Sequence, residues 1–285
     1  MYSRELDGKT YTFGVSGKLW RDALLMYDHQ TRSLWSHITG EAIQGKLKGK
    51  KLKPLTSIPQ IEWKTWMENY PNTKVLSVFV RGSMRESISR DSYERYHTSK
   101  DTGVSGTKYT DDRLPNKSLV VGVQVQVIPG ADGIAGHAGA DGQPGAAGQD
   151  GADGGVVELG DSQRNPKQKQ HQDSGNTSSR AYPLTQFTKN AFINDSVKGV
   201  PLLIFHDKES FATAVFKRIV NNKAILFTSI DGYIAHDNTG TEWNLITGKA
   251  TSGKYKGKRL ERLSAVNIYW FAWARFYPET TIYKP

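Results

Sequence analysis

The sequence predicts an α+β, strand-dominated chain of two similar repeat domains with short helices, split by a disordered, Gly-rich, collagen-like insert. Three observations carry this. Short runs rich in β-branched and aromatic residues lie between Gly, Asp, Asn and Lys turns, a long segment recurs near both ends, and a glycine at every third position interrupts the middle.

The recurrence is direct. Residues 31–55 read TRSLWSHITGEAIQGKLKGKKLKPL and residues 239–263 read TGTEWNLITGKATSGKYKGKRLERL. Thr31, Trp35, Ile38, Thr39, Gly40, Ala42, Gly45, Lys46, Lys48, Gly49, Lys50, Leu52 and Leu55 all recur in register. One residue is then lost, after which Trp63, Trp66, Tyr70, Pro71 and Thr73 recur as Trp270, Trp273, Tyr277, Pro278 and Thr280. Such a match implies two copies of one unit.

Within each copy the strands are short. TYTFGV, ALLMY, PLLIF and KAILFTSI have strand composition, and HQTR and DNTG connect apolar runs as hairpin turns, where Asn and Gly accept the left-handed conformation. Tryptophans three apart in EWKTWMENYP and YWFAWARFYP predict one short amphipathic helix per copy. Each helix ends before Pro71 or Pro278, since proline disfavours a helical residue ahead of it. Trp63, Trp66, Trp270 and Trp273 are expected in the core.

The copies predict domains at 1–81 and 181–285. Residues 82–127 form a connecting segment with a strand at 119–127, and residues 128–180 a collagen-like tract and linker. From Gly130 to Gly154 every third residue is glycine, the pattern of a collagen triple helix, where only glycine fits at the axis. Pro144 is the only proline inside the tract, so little pre-organises the extended helix. A flexible linker is the better reading, and a trimer follows only if the tract forms a triple helix.

The chain has 285 residues and no cysteine, which excludes disulfides, thiolate zinc sites and thiol nucleophiles within it. Its net charge of +10 makes a polyanion an electrostatically suitable partner. No apolar run reaches the roughly 18 residues of a membrane span. The first residues lack the basic-then-apolar pattern of a signal peptide.

TFGVSGKLWRDALLMYDHQTRSLWSHITGEAIQGKLKGKKL, followed by W..W....YPNTKVLS, resembles the domain-of-unknown-function 3179 family of bacterial and archaeal proteins. RDSYERYHTSKD, DDRLPNKSLVVGV and RAYPLTQFTKNAFINDSVKGVPLLIF carry the likeness onward. The family pattern places an AYPL segment, an ND pair and a strand before YCPLC, then another strand and GK.YTFGVSG. The resemblance therefore implies that Asp207 and Ser210 stand where two cysteines would be in the second copy, so thiol chemistry is absent there. It also implies that the first copy is entered late, its AYPL, ND and CxxC elements and any export signal falling before Met1. Such an entry would leave the first sheet an unpaired edge, or draw in a strand such as 119–127. An extracytoplasmic or cell-envelope location is implied by the same resemblance alone.

Four sets of residues are candidates for chemistry. Asp28, Thr31 and Trp35, with Asp237, Thr239 and Trp243, combine carboxylate, hydroxyl and indole at a hairpin; they read as a small ligand pocket or as a buried tryptophan with turn-capping residues. Lys46, Lys48 and Lys50, like Lys254, Lys256 and Lys258, alternate; on an extended segment three ammonium groups would share a face and meet a polyanion, or protect a sheet edge. No aromatic residue interleaves with Lys46–Lys53, so base stacking is not indicated. His29, His37, His206 and His236 match no zinc spacing, and Asp28-His29 aligns with the reversed pair His236-Asp237, so no metal is expected. Ser16 in GVSG is neither a nucleophile elbow nor part of a P-loop, and no catalytic residue is assigned.

The expectation is a non-enzymatic binding or structural protein of tandem repeats without a cofactor, working through protein or polyanion contacts. The alternative is the remnant of an extracytoplasmic redox or metal-binding protein whose CxxC motif this chain lacks.

Overall fold

The β-branched and aromatic runs form strands. A computed structural model describes residues 1–55, 61–75, 93–103, 109–126, 157–158 and 177–285, and the glycine tract lies outside them. Among the described residues strands dominate, in four larger sheets and two small hairpins, with short helices at Trp63–Asn69, Glu94–Thr98 and Trp270–Phe276. No helix among them is long and apolar enough to cross a membrane.

The N-terminal sheet runs, in spatial order, Ala42–Gln44, Leu34–Ser36, Ala23–Asp28, Phe13–Trp20 and Val157–Glu158. Its longest hairpin turns at Arg21-Asp22, both at positive φ (+53° and +62°), the two-residue geometry whose twist suits flanking strands. The C-terminal hairpin sheet repeats that strand order with Phe227–Asp231, Ile234–Asp237, Glu242–Asn244 and Lys249–Ala250. Trp35 pairs with Ala42 in one sheet, and Trp243 with Ala250 in the other. Both tryptophans are fully buried.

The expected strand at 119–127 is present as Leu119–Gln126, but it does not complete the N-terminal sheet. It lies between Ala265–Tyr269 and Thr177–Pro183, with Thr281–Ile282 added in parallel at the far edge. Val121, Val123 and Val125 pack with Tyr182, Leu202 and Ile204, whereas Val120 packs with Trp270 and Trp273. A strand apolar on both faces needs two covering layers, and the C-terminal half supplies both. The edge strand Phe13–Trp20 is paired instead by Val157–Glu158, in parallel. Thr177–Pro183 runs continuously through position 180, where the sequence boundary fell. The fourth sheet is Phe192–Val197, Val200–His206, Thr213–Lys217 and Glu261–Arg262.

The two tryptophan helices differ in burial. Trp270–Phe276 lies on the central sheet, where a Cβ on Gly122 would come within 2.4 Å of the Trp273 ring. Arg275 Nη1 on this helix meets Asp22 Oδ2 at 2.6 Å, and Phe276 packs edge-on to Trp20 at 5.5 Å, which ties the helix to the N-terminal hairpin. Trp63–Asn69 has no buried residue, and Trp63 is 54% exposed. The core placement expected for Trp63 and Trp66 is therefore corrected. That helix reaches the C-terminal hairpin sheet through a polar contact, Asn244 Nδ2 donating to Asn69 Oδ1 at 2.8 Å.

Candidate functional site

Each hairpin sheet sets one aspartate at the end of its second strand. Asp28 stands opposite Phe13 and Asp237 opposite Phe227, and the next residue donates its backbone N–H to the carbonyl before that phenylalanine, His29 to Thr12 and Asn238 to Leu226. Asp28 thus corresponds to Asp237, not to His236 as the ungapped alignment implied. The turn to the tryptophan is one residue longer in the N-terminal hairpin sheet.

Both carboxylates organise their turn. Asp28 Oδ1 accepts from the N–H of Gln30 at 2.7 Å and of Thr31 at 2.6 Å. Asp237 Oδ1 accepts from the N–H of Thr239 at 2.8 Å and of Thr241 at 3.1 Å, and from the Thr239 hydroxyl at 2.7 Å. Its Oδ2 takes the Trp243 indole N–H at 2.9 Å. Burial pushes the Asp237 pKa up, but these hydrogen bonds from Thr239, Trp243 and Thr241 outweigh it and hold the carboxyl below the usual range. In the N-terminal hairpin sheet Asp28 Oδ2 and Trp35 Nε1 are sealed from solvent and make no hydrogen bond among the described residues. The longer turn separates the groups whose counterparts, Asp237 and Trp243, meet in the C-terminal hairpin sheet.

A hydroxyl relay joins these turns to the lysine segments. Thr31 Oγ1 and Ser33 Oγ are 3.2 Å apart, and Ser33 Oγ accepts from Leu47 N–H at 3.1 Å. Thr239 Oγ1 and Thr241 Oγ1 are 3.0 Å apart, and Thr241 Oγ1 accepts from Tyr255 N–H at 3.3 Å. Lys46, Lys48 and Lys50 are not on an extended segment, nor are Lys254, Lys256 and Lys258. Gly45 to Lys50 makes two successive turns, Lys48 N–H to Gly45 O and Lys50 N–H to Leu47 O, repeated by Lys256 to Gly253 and Lys258 to Tyr255. Glycine permits this knuckle. Gly45 (φ +100°) and Gly253 (φ +73°) lie so close to Ser33 and Thr241 that a Cβ would sit at 2.3 and 2.7 Å. The central Leu47 and Tyr255 turn inward while Lys46, Lys48, Lys254, Lys256 and Lys258 project into solvent.

Asp207 and Ser210, the positions expected to stand in place of two cysteines, form a closed turn. Asp207 Oδ2 accepts from the Ser210 hydroxyl and Oδ1 from Glu209 N–H, and Ser210 Oγ lies 3.0 Å from the Tyr233 hydroxyl. The adjacent His206 is buried, its Nδ1 3.0 Å from Thr213 Oγ1. Asn267 Nδ2 donates to Phe211 O, so its Oδ1 accepts from the Thr213 hydroxyl at 3.0 Å. With its hydroxyl directed to Asn267, Thr213 accepts from His206 Nδ1–H in the matching tautomer. Burial holds the His206 pKa down, against the opposing charge of Asp207. In the AYPL and ND segments, the Tyr182 hydroxyl donates to Asp195 Oδ2 at 2.7 Å, and Arg180 reaches the same oxygen at 2.6 Å.

The remaining candidates stay apart. Ser16 Oγ donates to Leu25 O at 2.7 Å inside the irregular part of its strand pair. His37 Nδ1 meets Leu24 O at 2.6 Å. No three His, Asp or Glu side chains among the described residues are grouped to hold a metal. Sequence reasoning missed Ser33 and Thr241, whose only signal was a hydroxyl at the same place in each of the two recurring segments. The sequence profile of a family described as "Protein of unknown function (DUF3179)" matches residues 1–132 and 155–280. No curated protein and no solved structure matches the chain.

Proposed function

The chain belongs to the family described as a protein of unknown function, DUF3179, and from that premise we propose a non-enzymatic binding protein, built from two copies of one β-rich unit, that engages polyanions. The carrying observation is the lysine knuckle, present in both copies with its hydrophobic centre anchored and its ammonium groups outward. The copies also share finer contacts. Trp66 Nε1 donates to Thr73 Oγ1 at 2.8 Å, as Trp273 Nε1 does to Thr280 Oγ1 at 2.9 Å. Leu52 N–H bonds Gly40 O as Leu260 N–H bonds Gly248 O. On this reading the glycine-rich tract serves as the linker inserted between them.

A pinned knuckle presents charge without ordering a loop on binding, which lowers the entropic cost of association. Binding through ammonium groups releases counterions, so affinity must fall steeply with salt. Retention of the full chain on an immobilised sulfated polysaccharide at low ionic strength, lost on adding salt, is the expected result. Absence of retention at low ionic strength overturns the polyanion reading, and turnover of a hydrolytic or redox substrate by purified protein overturns the non-enzymatic one.

One observation favours a second reading, the remnant of a redox or metal-binding protein. The Asp207–Ser210 contact bridges the two positions that cysteines occupy in the family pattern, which supports retention of a dithiol turn after its thiols were replaced. In-frame codons for AYPL, ND and CPLC upstream of Met1 would support it, and immediate stop codons would remove it.

A further inference from the structure

The two knuckles are electrostatically unlike. Beside the N-terminal one, Glu41 stands opposite Lys51 in an antiparallel bridge, carboxylate to ammonium 3.6 Å, and Lys50 Nζ meets Asp7 Oδ2 at 2.6 Å. Beside the C-terminal one, Lys249 stands opposite Arg259 in the matching bridge. Asp7 belongs to the turn Asp7-Gly8 (φ +48° and +73°), and the corresponding tight hairpin ahead of Phe227 turns at Asn221-Asn222 (φ +49° and +61°). The two acids that pair Lys50 and Lys51 are thus exchanged, one for a neutral amide and one for a cation.

The exchange leaves a concentrated positive surface. Lys249, Lys254, Lys256, Lys258 and Arg259 are all exposed, and none forms an ion pair among the described residues. Arg262 lies beneath them, where the N-terminal copy has Pro54. Its Nη2 donates to the carbonyls of Leu245 and Ile246 at 2.8 Å, and its guanidinium lies 4.5 Å from the Phe216 ring centre. Burial first, and the charge of Arg259 as well, hold Arg262 down at about 10. Like charges facing each other across a strand pair destabilise a sheet. A bound anion removes that repulsion; at the first knuckle the bridge already sets opposite charges side by side, and only Lys46 and Lys48 stay exposed without an ion pair among the described residues.

The ligand's chemistry follows from what surrounds the cations. Tyr255, the aromatic residue of the knuckle, is buried under it and offers no face for a base to stack upon. Four of the five exposed cations are lysines, point charges rather than bidentate forks. Such a surface suits charged groups spaced along a polymer more than planar base edges. We propose that anion recognition resides in the C-terminal knuckle, through Lys249, Lys254, Lys256, Lys258 and Arg259, and that its ligand is an acidic polysaccharide. This rests on the polyanion reading above and assigns it to one copy.

The test is salt elution of the full chain from immobilised heparin, with thermal unfolding measured alongside. The triple change Lys254→Gln, Lys256→Gln, Lys258→Gln should weaken binding about tenfold or more, the loss expected when several counterion-releasing contacts are removed. The matched change Lys46→Gln, Lys48→Gln, Lys50→Gln should leave elution nearly unchanged. Lys249→Glu, which installs the Glu–Arg pair in the manner of Glu41–Lys51, should weaken binding while holding or raising Tm, a combination that misfolding cannot produce. Equal losses from the two triples, or a larger loss from the N-terminal one, overturn the assignment. No retention of the unaltered chain overturns the polyanion reading itself. Tighter binding to duplex DNA than to heparin at the same salt overturns the ligand class.

Discussion

The Trp243 indole N–H donates to Asp237 Oδ2 at 2.9 Å, and both residues are buried. The same carboxylate closes the turn through Thr239 and Thr241, so one side chain joins the core tryptophan to the knuckle behind it. Asp237→Ala strands several buried donors and should cost about 3 kcal/mol, read by denaturant unfolding. Asp28→Ala should cost less, because Asp28 Oδ2 has no hydrogen bond among the described residues to lose.

Acid should expose the same carboxylate. Its folded pKa lies below the ordinary value, so the unfolded chain binds the proton more readily. The stabilisation is present above about pH 4, the usual aspartate value, and is lost as pH falls through the folded pKa. The difference in stability between the unaltered chain and Asp237→Asn should shrink across that window, and a constant difference would contradict the assignment.

His206 acts in a higher window. Burial depresses its pKa, so the unfolded state takes up the proton first as pH falls below about 6.5. Stability should therefore decline from there toward the folded pKa, and His206→Gln should remove that part of the decline. Protonation also strips Nε2 of its acceptor pair, while Nδ1–H continues to donate to Thr213.

Gly122 is required by contact rather than by backbone angle. Its missing side chain leaves room for the Trp273 ring, and a Cβ would stand 2.4 Å from it. Gly122→Ala should lower stability by about 1–3 kcal/mol, the usual range for overpacking, and shift tryptophan fluorescence.

Two matched hydroxyls separate the helices. Thr280→Val leaves the buried Trp273 N–H without an acceptor and should cost about 1–3 kcal/mol. Thr73→Val should cost well under about 1 kcal/mol, since the half-buried Trp66 N–H can turn to water. Equal costs in urea titrations would show that the N-terminal helix is as covered as its counterpart.

By itself the sequence determined the local elements. Alternating and β-branched runs such as ALLMY and PLLIF became strands, HQTR and DNTG became turns, and the residues before Pro71 and Pro278 became short helices, because each follows from contacts a few residues apart. Asp28 and Asp237, Trp35 and Trp243, and both lysine segments were legible as recurring letters. Only the tertiary structure decided how they are used. Leu119–Gln126 joins the C-terminal half because two apolar layers wait there to cover it, and Trp63 stays exposed because no apolar layer among the described residues buries its helix. The lysines leave the extended form because Gly45 and Gly253 press against Ser33 and Thr241. Glu41 neutralises Lys51 while Lys249 faces Arg259, a contrast invisible until the bridge sets each pair side by side. Composition and periodicity report what a segment can form, but burial and charge pairing depend on surfaces brought together from far along the chain.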